Sequence, residues 1–286
     1  MAESRIGSLR LPRQRSLAFT GAPVVMGILN VTPDSFSDGG LHLDPQRAAG
    51  AAFRMAEQGA AIIDIGGEST RPGADAVSVE EEIRRVLPVI ERIRAATEIP
   101  ISVDTRNAEV ARLALDAGAD MINDVSALRH DPRMAPLAAE RDTPVILMHM
   151  RGEPRTMQQS VHYDDLIEEI RTDLVGWRDR AIREGIGPDR ILLDPGIGFG
   201  KTFEHNLEIL ARAGDLTALG PLVIGASRKG FLGHLTGREA GPPRLAGSLA
   251  AVAAAAGAGA AVVRVHDVAE TVDFLKVWMA IREAEA

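Results

Sequence analysis

Eight times along this chain a short apolar run ends on residues that can do chemistry. In order these are Asn30; Glu68, Ser69, Thr70 and Arg71; Asp104; Asn123 and Asp124; His149; Asp194; Ser227, Arg228 and Lys229; and Arg264 with His266. Carboxylates and amides gathered at one point suit a flat heterocycle with adjacent N–H donors and a carbonyl, because an ionised carboxylate accepts two parallel hydrogen bonds. An arginine plane can stack on the same ring. Asn30, Thr70, Arg71, Arg264 and His266 together could hold an anion such as a phosphate. For any single residue a capping or pairing role is an equal reading, but the recurrence after every apolar run favours a site.

Other chemistries are excluded or weakened. The chain has no Cys, which removes disulfides, thiolate nucleophiles and cysteine-bound zinc or iron–sulfur centres. No His pair has ligand spacing for zinc, whereas magnesium shared between a side-chain oxygen and substrate phosphates is compatible with the residues present. A formal charge of −8 argues against a general nucleic-acid binder. The stretch GIGFGKT, Gly196 to Thr202, resembles a phosphate-binding P-loop, but the glycine required six places before Lys201 is Pro195. It reads as a glycine-rich loop. A Schiff-base role for Lys229 would need an apolar pocket to depress its pKa; with Arg228 beside it and acids in the ring, hydrogen bonding and charge pairing fit better. His42, His130, His162, His205 and His234 lie in loop or polar helical contexts that suit solvated or capping roles. Glu80, Glu81 and Glu82 read as the first turn of a helix, favoured there by the macrodipole.

The elements that must position these residues alternate regularly. Short runs begin at Val24, Ala61, Ile101, Met121, Pro144, Ile191, Pro221 and Ala261, and are separated by segments such as SVEEEIRRVLPVIERIRAA, whose apolar residues recur at spacings of three and four. Buried strands each followed by an amphipathic helix predict parallel βαβ units, and eight of them predict an α/β protein built as one (β/α)8 TIM barrel. An open doubly wound sheet would share the alternation, but no GxGxxG follows the first strand. Three helix-to-strand junctions repeat one pattern, a glycine followed by apolar residues and then a polar one: Gly59 to Asp64, Gly118 to Asn123 and Gly259 to Arg264. They predict the same unit in the same register. Residues 1–286 read as one domain, the barrel from about residue 22 to 284 and residues 1–21 an extension that closes its other end or flanks it. The uncharged stretch from Leu245 to Val263 reads as a buried helix and strand, not a membrane span, since Gly257 and Gly259 punctuate it. With no signal-peptide pattern at the start, the expected location is the cytoplasm.

The motifs NVTPDSFSDGG at Asn30, DIGGESTRPGA at Asp64, SVDT at Ser102, INDV at Ile122, LMHMRGEPRTMQ at Leu147, LDPGIGFGK at Leu193, GASRKGFLG at Gly225 and RVHDV at Arg264 follow one another in an order that resembles the dihydropteroate synthase family. The resemblance runs from about Val24 to Val268. It implies a (β/α)8 barrel that joins 6-hydroxymethyl-7,8-dihydropterin pyrophosphate to para-aminobenzoate, releasing pyrophosphate, in folate synthesis. It also implies that Asp104, Asn123, Asp194 and Lys229 hydrogen-bond the pterin, that Arg264 stacks on it and that Met148 lines the pocket. Asn30 would meet Mg2+ and pyrophosphate, while Thr70, Arg71, Arg264 and His266 hold the phosphates. Phe36, Pro72, Phe199, Ser227 and Lys229 would surround the aminobenzoate. The loop NVTPDSFSDGG would fold over the site, Asp38 meeting Arg71, and keep water from the methylene carbon as it gains cation character. A homodimer through helices of the barrel's later half and sensitivity to sulfonamides are implied as well. The chain departs from many family members at Gly230, where they carry Ser or a larger residue, which bears on aminobenzoate affinity and sulfonamide sensitivity. A pterin-dependent methyltransferase domain and a non-catalytic pterin-binding paralogue are the alternatives; neither needs both the lid motif and the phosphate-binding arginines.

Overall fold

Runs of β-branched residues with no polar alternation can only be strands buried on both faces, and the chain supplies a helix to cover each one. The computed structural model describes residues 7–32, 44–68, 77–153, 155–159 and 161–284. Within them two short strands, β1 (Ser8–Leu11) and β2 (Arg15–Ala18), precede the units β3 (Val24–Asn30), α1 (Pro45–Glu57), β4 (Ile62–Gly66), α2 (Val79–Ala96), β5 (Ile101–Asp104), α3 (Ala108–Asp116), β6 (Met121–Asp124) and α4 (Met134–Glu140). There follow β7 (Val145–Met148), α5 (Leu166–Arg183), β8 (Ile191–Asp194), α6 (Phe203–Ala211), α7 (Ala213–Thr217), β9 (Val223–Ile224), α8 (Gly230–Thr236), α9 (Leu245–Gly257), β10 (Val262–Val265) and α10 (Val268–Ala284). The strands pair in parallel in the order β8, β7, β6, β5, β4, β3, β10, β9, and a bridge between Leu193 and Leu222 joins the two ends into a barrel. Each predicted strand is present. The seventh is shorter than Pro221 to Ser227, because Arg228 sits in the left-handed region and the backbone has already left the sheet toward α8.

The registers explain where the polar residues go. Asp64 pairs with Ser102 and through it with Met121, two residues below Asn123. Asn123 leads through Ile146 to Leu192, two below Asp194. Leu193 bridges to Leu222, so the next pair leads from Asp194 through Val223 to Val262, two below Arg264. Arg264 leads through Met26 to Ile62, two below Asp64. Four steps of two residues make a shear of eight, the value of this barrel class. Asp64, Asn123, Asp194 and Arg264 therefore form one layer across the interior, contributed by alternate strands.

The layers beneath are apolar apart from the buried Ser102. Ile62, Met121, Leu192 and Val262, with Met26, Ile146 and Val223, form one buried cluster with Leu9, Leu11 and Phe19. The hairpin β1–β2 thus closes the N-terminal end of the barrel, one of the two placements expected for the first residues. A larger cluster fills the space between the strands' outer faces and the helices, with Ile63, Ile65, Val103, Ile122 and Val263 opposite Ala52, Val86, Ile90, Ala111 and Val252. The repeated junctions end their helices alike. Gly59, Gly118 and Gly259 take positive φ, and the N–H groups of Ala60, Ala119 and Ala260 reach back to Met55, Ala114 and Ala255 at 2.9–3.0 Å. No helix among the described residues is long and apolar enough to cross a membrane, and the uncharged stretch from Leu245 is the helix α9 followed by β10.

A polar layer at the C-terminal mouth of the barrel

The layer of Asp64, Asn123, Asp194 and Arg264 is the floor of a pocket. Arg264, reaching across the interior from β10, donates from Nε to Asp64 Oδ2 at 2.6 Å and from its terminal nitrogen to Asp104 Oδ2 at 2.7 Å. Asn123 donates to the same Asp64 oxygen at 3.1 Å. One fully buried carboxylate thus fixes both the guanidinium plane and the amide orientation. Asp194 Oδ1 accepts from the Gly196 backbone N–H at 2.7 Å. Above the floor the walls are Val125, Met148, Ile197 and Phe199, and the ammonium of Lys229 lies 4.2 Å from the Phe199 ring centroid. The space between them is about 340 Å³ when its open mouth is counted.

Burial sets the electrostatics. It pushes Asp194 above the ordinary carboxylate range, opposed by the Gly196 N–H and by Lys229. Asp104 is also raised by burial, with Arg264 opposing and Asp64 adding to the rise. The guanidinium of Arg264, bonded to Asp104, favours that carboxylate's ionised form against the cost of burial. The result is a floor of fixed acceptors with one guanidinium and one ammonium among them. Such a floor can grip a flat ring that offers N–H groups on one edge and a carbonyl on another.

Most expected residues converge. Asp104, Asn123, Met148, Asp194, Phe199, Lys229 and Arg264 line this pocket. Asn30 ends β3, paired with Gly66 at the same rim. Ser227 and His266 meet each other instead, the Ser227 hydroxyl lying 3.2 Å from the His266 N–H and 3.1 Å from its Nδ1. Phe36, Asp38, Thr70, Arg71 and Pro72 lie outside the described residues, as does the expected contact between Asp38 and Arg71. Other ring members turn away: Arg228 pairs with Asp267 and Glu68 with Arg106. His149, buried completely, faces α5, and Asp124 caps the following turn through Ser126 and Leu128. Asp64 carries the floor yet was not singled out by reading strand ends, because it lies two residues inside its strand. Its signal was the repeated junction, which sets Asp64, Asn123 and Arg264 in one register. Glu82 also differs from a simple first-turn acid: it is buried, accepts from Asn107 at 2.7 Å, and burial raises its pKa. His205 does cap, closing a reciprocal box with Thr202 at the start of α6.

Barrel and floor together define the class. Residues 26–266 match the pterin binding enzyme family, and the chain belongs to it. Within that family its relatives are dihydropteroate synthases. The one from Synechocystis sp. is 48% identical over 254 residues, which are 88% of each chain. The Xanthomonas albilineans dihydropteroate synthase solved with 4-aminobenzoic acid superposes with a TM-score of 0.90 at 51% identity, covering 96% of this chain and 98% of that one. A Yersinia pestis dihydropteroate synthase solved with a sulfonamide drug gives 0.90 at 45% identity over 96% and 99% of the two chains.

Proposed function

We propose that this chain is a dihydropteroate synthase, a transferase that joins 6-hydroxymethyl-7,8-dihydropterin pyrophosphate to para-aminobenzoate. The observation that carries the reading is the shared use of Asp64 by Arg264 and Asn123, which presets a floor for the pterin before it arrives. Asp104, Asn123 and Asp194 accept and donate along the pterin edge, Lys229 donates to it, and Arg264 stacks on its face. Phe199 and Lys229 border the arylamine, with Ser227, Phe36 and Pro72 around it. His266 and Arg264, with Thr70 and Arg71, hold the phosphates, and Asp38 closes on Arg71.

In the reaction the bond from the pterin methylene carbon to the pyrophosphate oxygen breaks with its electron pair leaving on oxygen. The arylamine lone pair then forms the new C–N bond, and the amine loses one proton to solvent. The amine is a free base near neutral pH, so no protein general base is required. Arg264 and His266 offset the charge that builds on the departing oxygens. Magnesium fits the donor set at the rim: Asn30 offers one amide oxygen, and an ion that prefers to keep water and phosphate ligands would complete its shell from those while neutralising the leaving pyrophosphate.

A homodimer belongs to the same reading. Val277 and Ile281 of α10 are exposed, and this helix packs beside α9, giving apolar surface in the barrel's later half for a second copy. Cytoplasmic location and sulfonamide sensitivity complete it. The test is product formation: purified chain, magnesium, dihydropterin pyrophosphate and para-aminobenzoate, with dihydropteroate and pyrophosphate quantified together. Stoichiometric appearance of both is expected; tight pterin binding with neither product would overturn the proposal in favour of a binding paralogue.

A further inference from the structure

The glycine-rich loop that resembles a P-loop ends in Lys201, a side chain only 2% exposed and outside the pocket. Burying an ammonium is costly unless each N–H finds an acceptor. Here three do. Lys201 Nζ lies 3.0 Å from His149 Nδ1, 3.3 Å from the His149 carbonyl and 3.0 Å from the Phe199 carbonyl. The far nitrogen of the same imidazole, Nε2, lies 3.2 Å from Asp173 on α5. That contact assigns the tautomer: Nε2–H donates to the carboxylate, which leaves the Nδ1 lone pair to accept from Lys201. An uncharged imidazole thus links a carboxylate to a buried ammonium, and it stacks on Trp177 with ring centroids 5.4 Å apart.

The loop held by this ammonium carries Phe199. Gly198 donates to Asn206 at 2.7 Å, and the Gly200 carbonyl accepts from Tyr163 at 3.0 Å. Gly196 sits at φ +69°, and a side chain there would come within 1.8 Å of the His149 carbonyl, so the loop is pressed onto the backbone after β7. Two of Lys201's three acceptors are the carbonyls of these facing segments, one on each side of the seam. We propose that Lys201, as an ammonium, is a positioning residue that pins the Phe199 loop to the end of β7 and so sets affinity for the arylamine, and that loss of its proton relaxes the pin. A neutral amine has two N–H groups for three acceptors, so one contact must be given up.

The inference rests on the arylamine reading of the pocket. Burial draws the Lys201 pKa down to about 7; Asp194 and Asp173 oppose the fall, and Arg151 and Lys229 add to it. The other titratable groups packed around the pin are His149, held down to about 4 by burial and by Lys201, and Tyr163 and His205, whose rings meet edge to face. Arg151 is itself paired with Glu169 at 2.6 Å and lies 3.6 Å from Asp173. The ammonium is the form present at lower pH, so the pin is complete there and weakens as pH rises through neutrality.

The experiment is steady-state kinetics from pH 6 to 9 at saturating dihydropterin pyrophosphate, with para-aminobenzoate varied, on the whole chain and on Lys201→Met, Lys201→Arg and Asp173→Asn. In the parent, KM for para-aminobenzoate should rise about tenfold across the range as one charged hydrogen bond is lost. Lys201→Met should show that high KM at every pH, with kcat at saturation and KM for the pterin pyrophosphate within about twofold, and Lys201→Arg should restore part of the low-pH affinity. Asp173→Asn touches neither loop carbonyl, and by removing the remote negative charge it should move the rise to lower pH by roughly half a unit. A flat pH profile in Lys201→Met with parental KM, equal effects on both substrates, or an unmoved profile in Asp173→Asn would overturn the proposal while leaving the synthase reading intact. A parent chain that makes no dihydropteroate would overturn the synthase reading and this role with it.

Discussion

Buried carboxylates meet arginines at both ends of the barrel, but in opposite proportion. At the N-terminal end three arginines, Arg13, Arg15 and Arg94, converge on the single carboxylate of Asp120, which also accepts from the Ile101 N–H at 2.9 Å. Arg190 is likewise tied to Asp142 and to the Arg10 carbonyl. The arginines on Asp120 tie the hairpin and α2 to the barrel wall, and Arg190 ties the hairpin and the loop before β7 to the start of β8. In the polar layer at the C-terminal end one arginine, Arg264, serves Asp64 and Asp104 with Asp194 nearby, so carboxylates outnumber guanidinium groups, and Asp104 and Asp194 line a pocket. Charges that satisfy one another close a structure, whereas charges left with spare capacity recognise a ligand.

That contrast can be broken at either end. The largest effect should come from Asp120→Ala, which strands three arginines around an empty position and should cost about 3–5 kcal/mol of stability. Urea unfolding would measure it, and kcat of the surviving fold should be unchanged; a loss of turnover at full stability would erase the distinction between the ends. Next is Arg264→Lys, which leaves a positive charge for Asp64 but removes the planar fork. Turnover should fall about a hundredfold, with stability lower by only about 1–2 kcal/mol. Near-parental turnover would remove Arg264 from the site.

Asp131→Ala sharpens the comparison with a rim residue that has only a structural task. Asp131 accepts from the Ala108 N–H at 3.0 Å, holding the first turn of α3, and Arg133 keeps its pKa well below the ordinary carboxylate range, at about 2. Its contribution is therefore full above about pH 4 and is lost as pH falls through 2. The variant should be less stable by about 1–2 kcal/mol at pH 7, converge on the parent near pH 2, and turn over normally. A stability gap that persists at pH 2 would show that packing, not the carboxylate, is responsible. The smallest effect is expected at Gly230, where an added Cβ would meet only Phe203 at 3.9 Å. Gly230→Ser should change stability by less than about 1 kcal/mol, and KM for para-aminobenzoate would then report what a side chain at this position does.

Much of this was legible in the amino-acid order. Eight apolar runs with a helix after each require a closed parallel barrel, and residues at strand ends must gather at its C-terminal mouth, which located Asp104, Asn123, Asp194 and Arg264. The hairpin β1–β2 was not read as strands, because Arg13 and Gln14 make the turn in left-handed conformations without the usual Asn or Gly. The inward direction of a side chain was the other limit. Asp64 and His149 both lie at or near strand ends, and residue type cannot tell that one faces the barrel interior beneath the pocket and the other faces α5. Only the shear of the closed barrel, which moves each layer two residues along every second strand, puts Asp64 level with Arg264. Only the packing of α5 and the Gly196–Lys201 loop gives His149 a carboxylate on one nitrogen and an ammonium on the other. Periodicity along the chain determined what could reach the mouth of the barrel; contacts between residues distant in sequence decided which groups point into it, because direction belongs to the closed ring and not to any one strand.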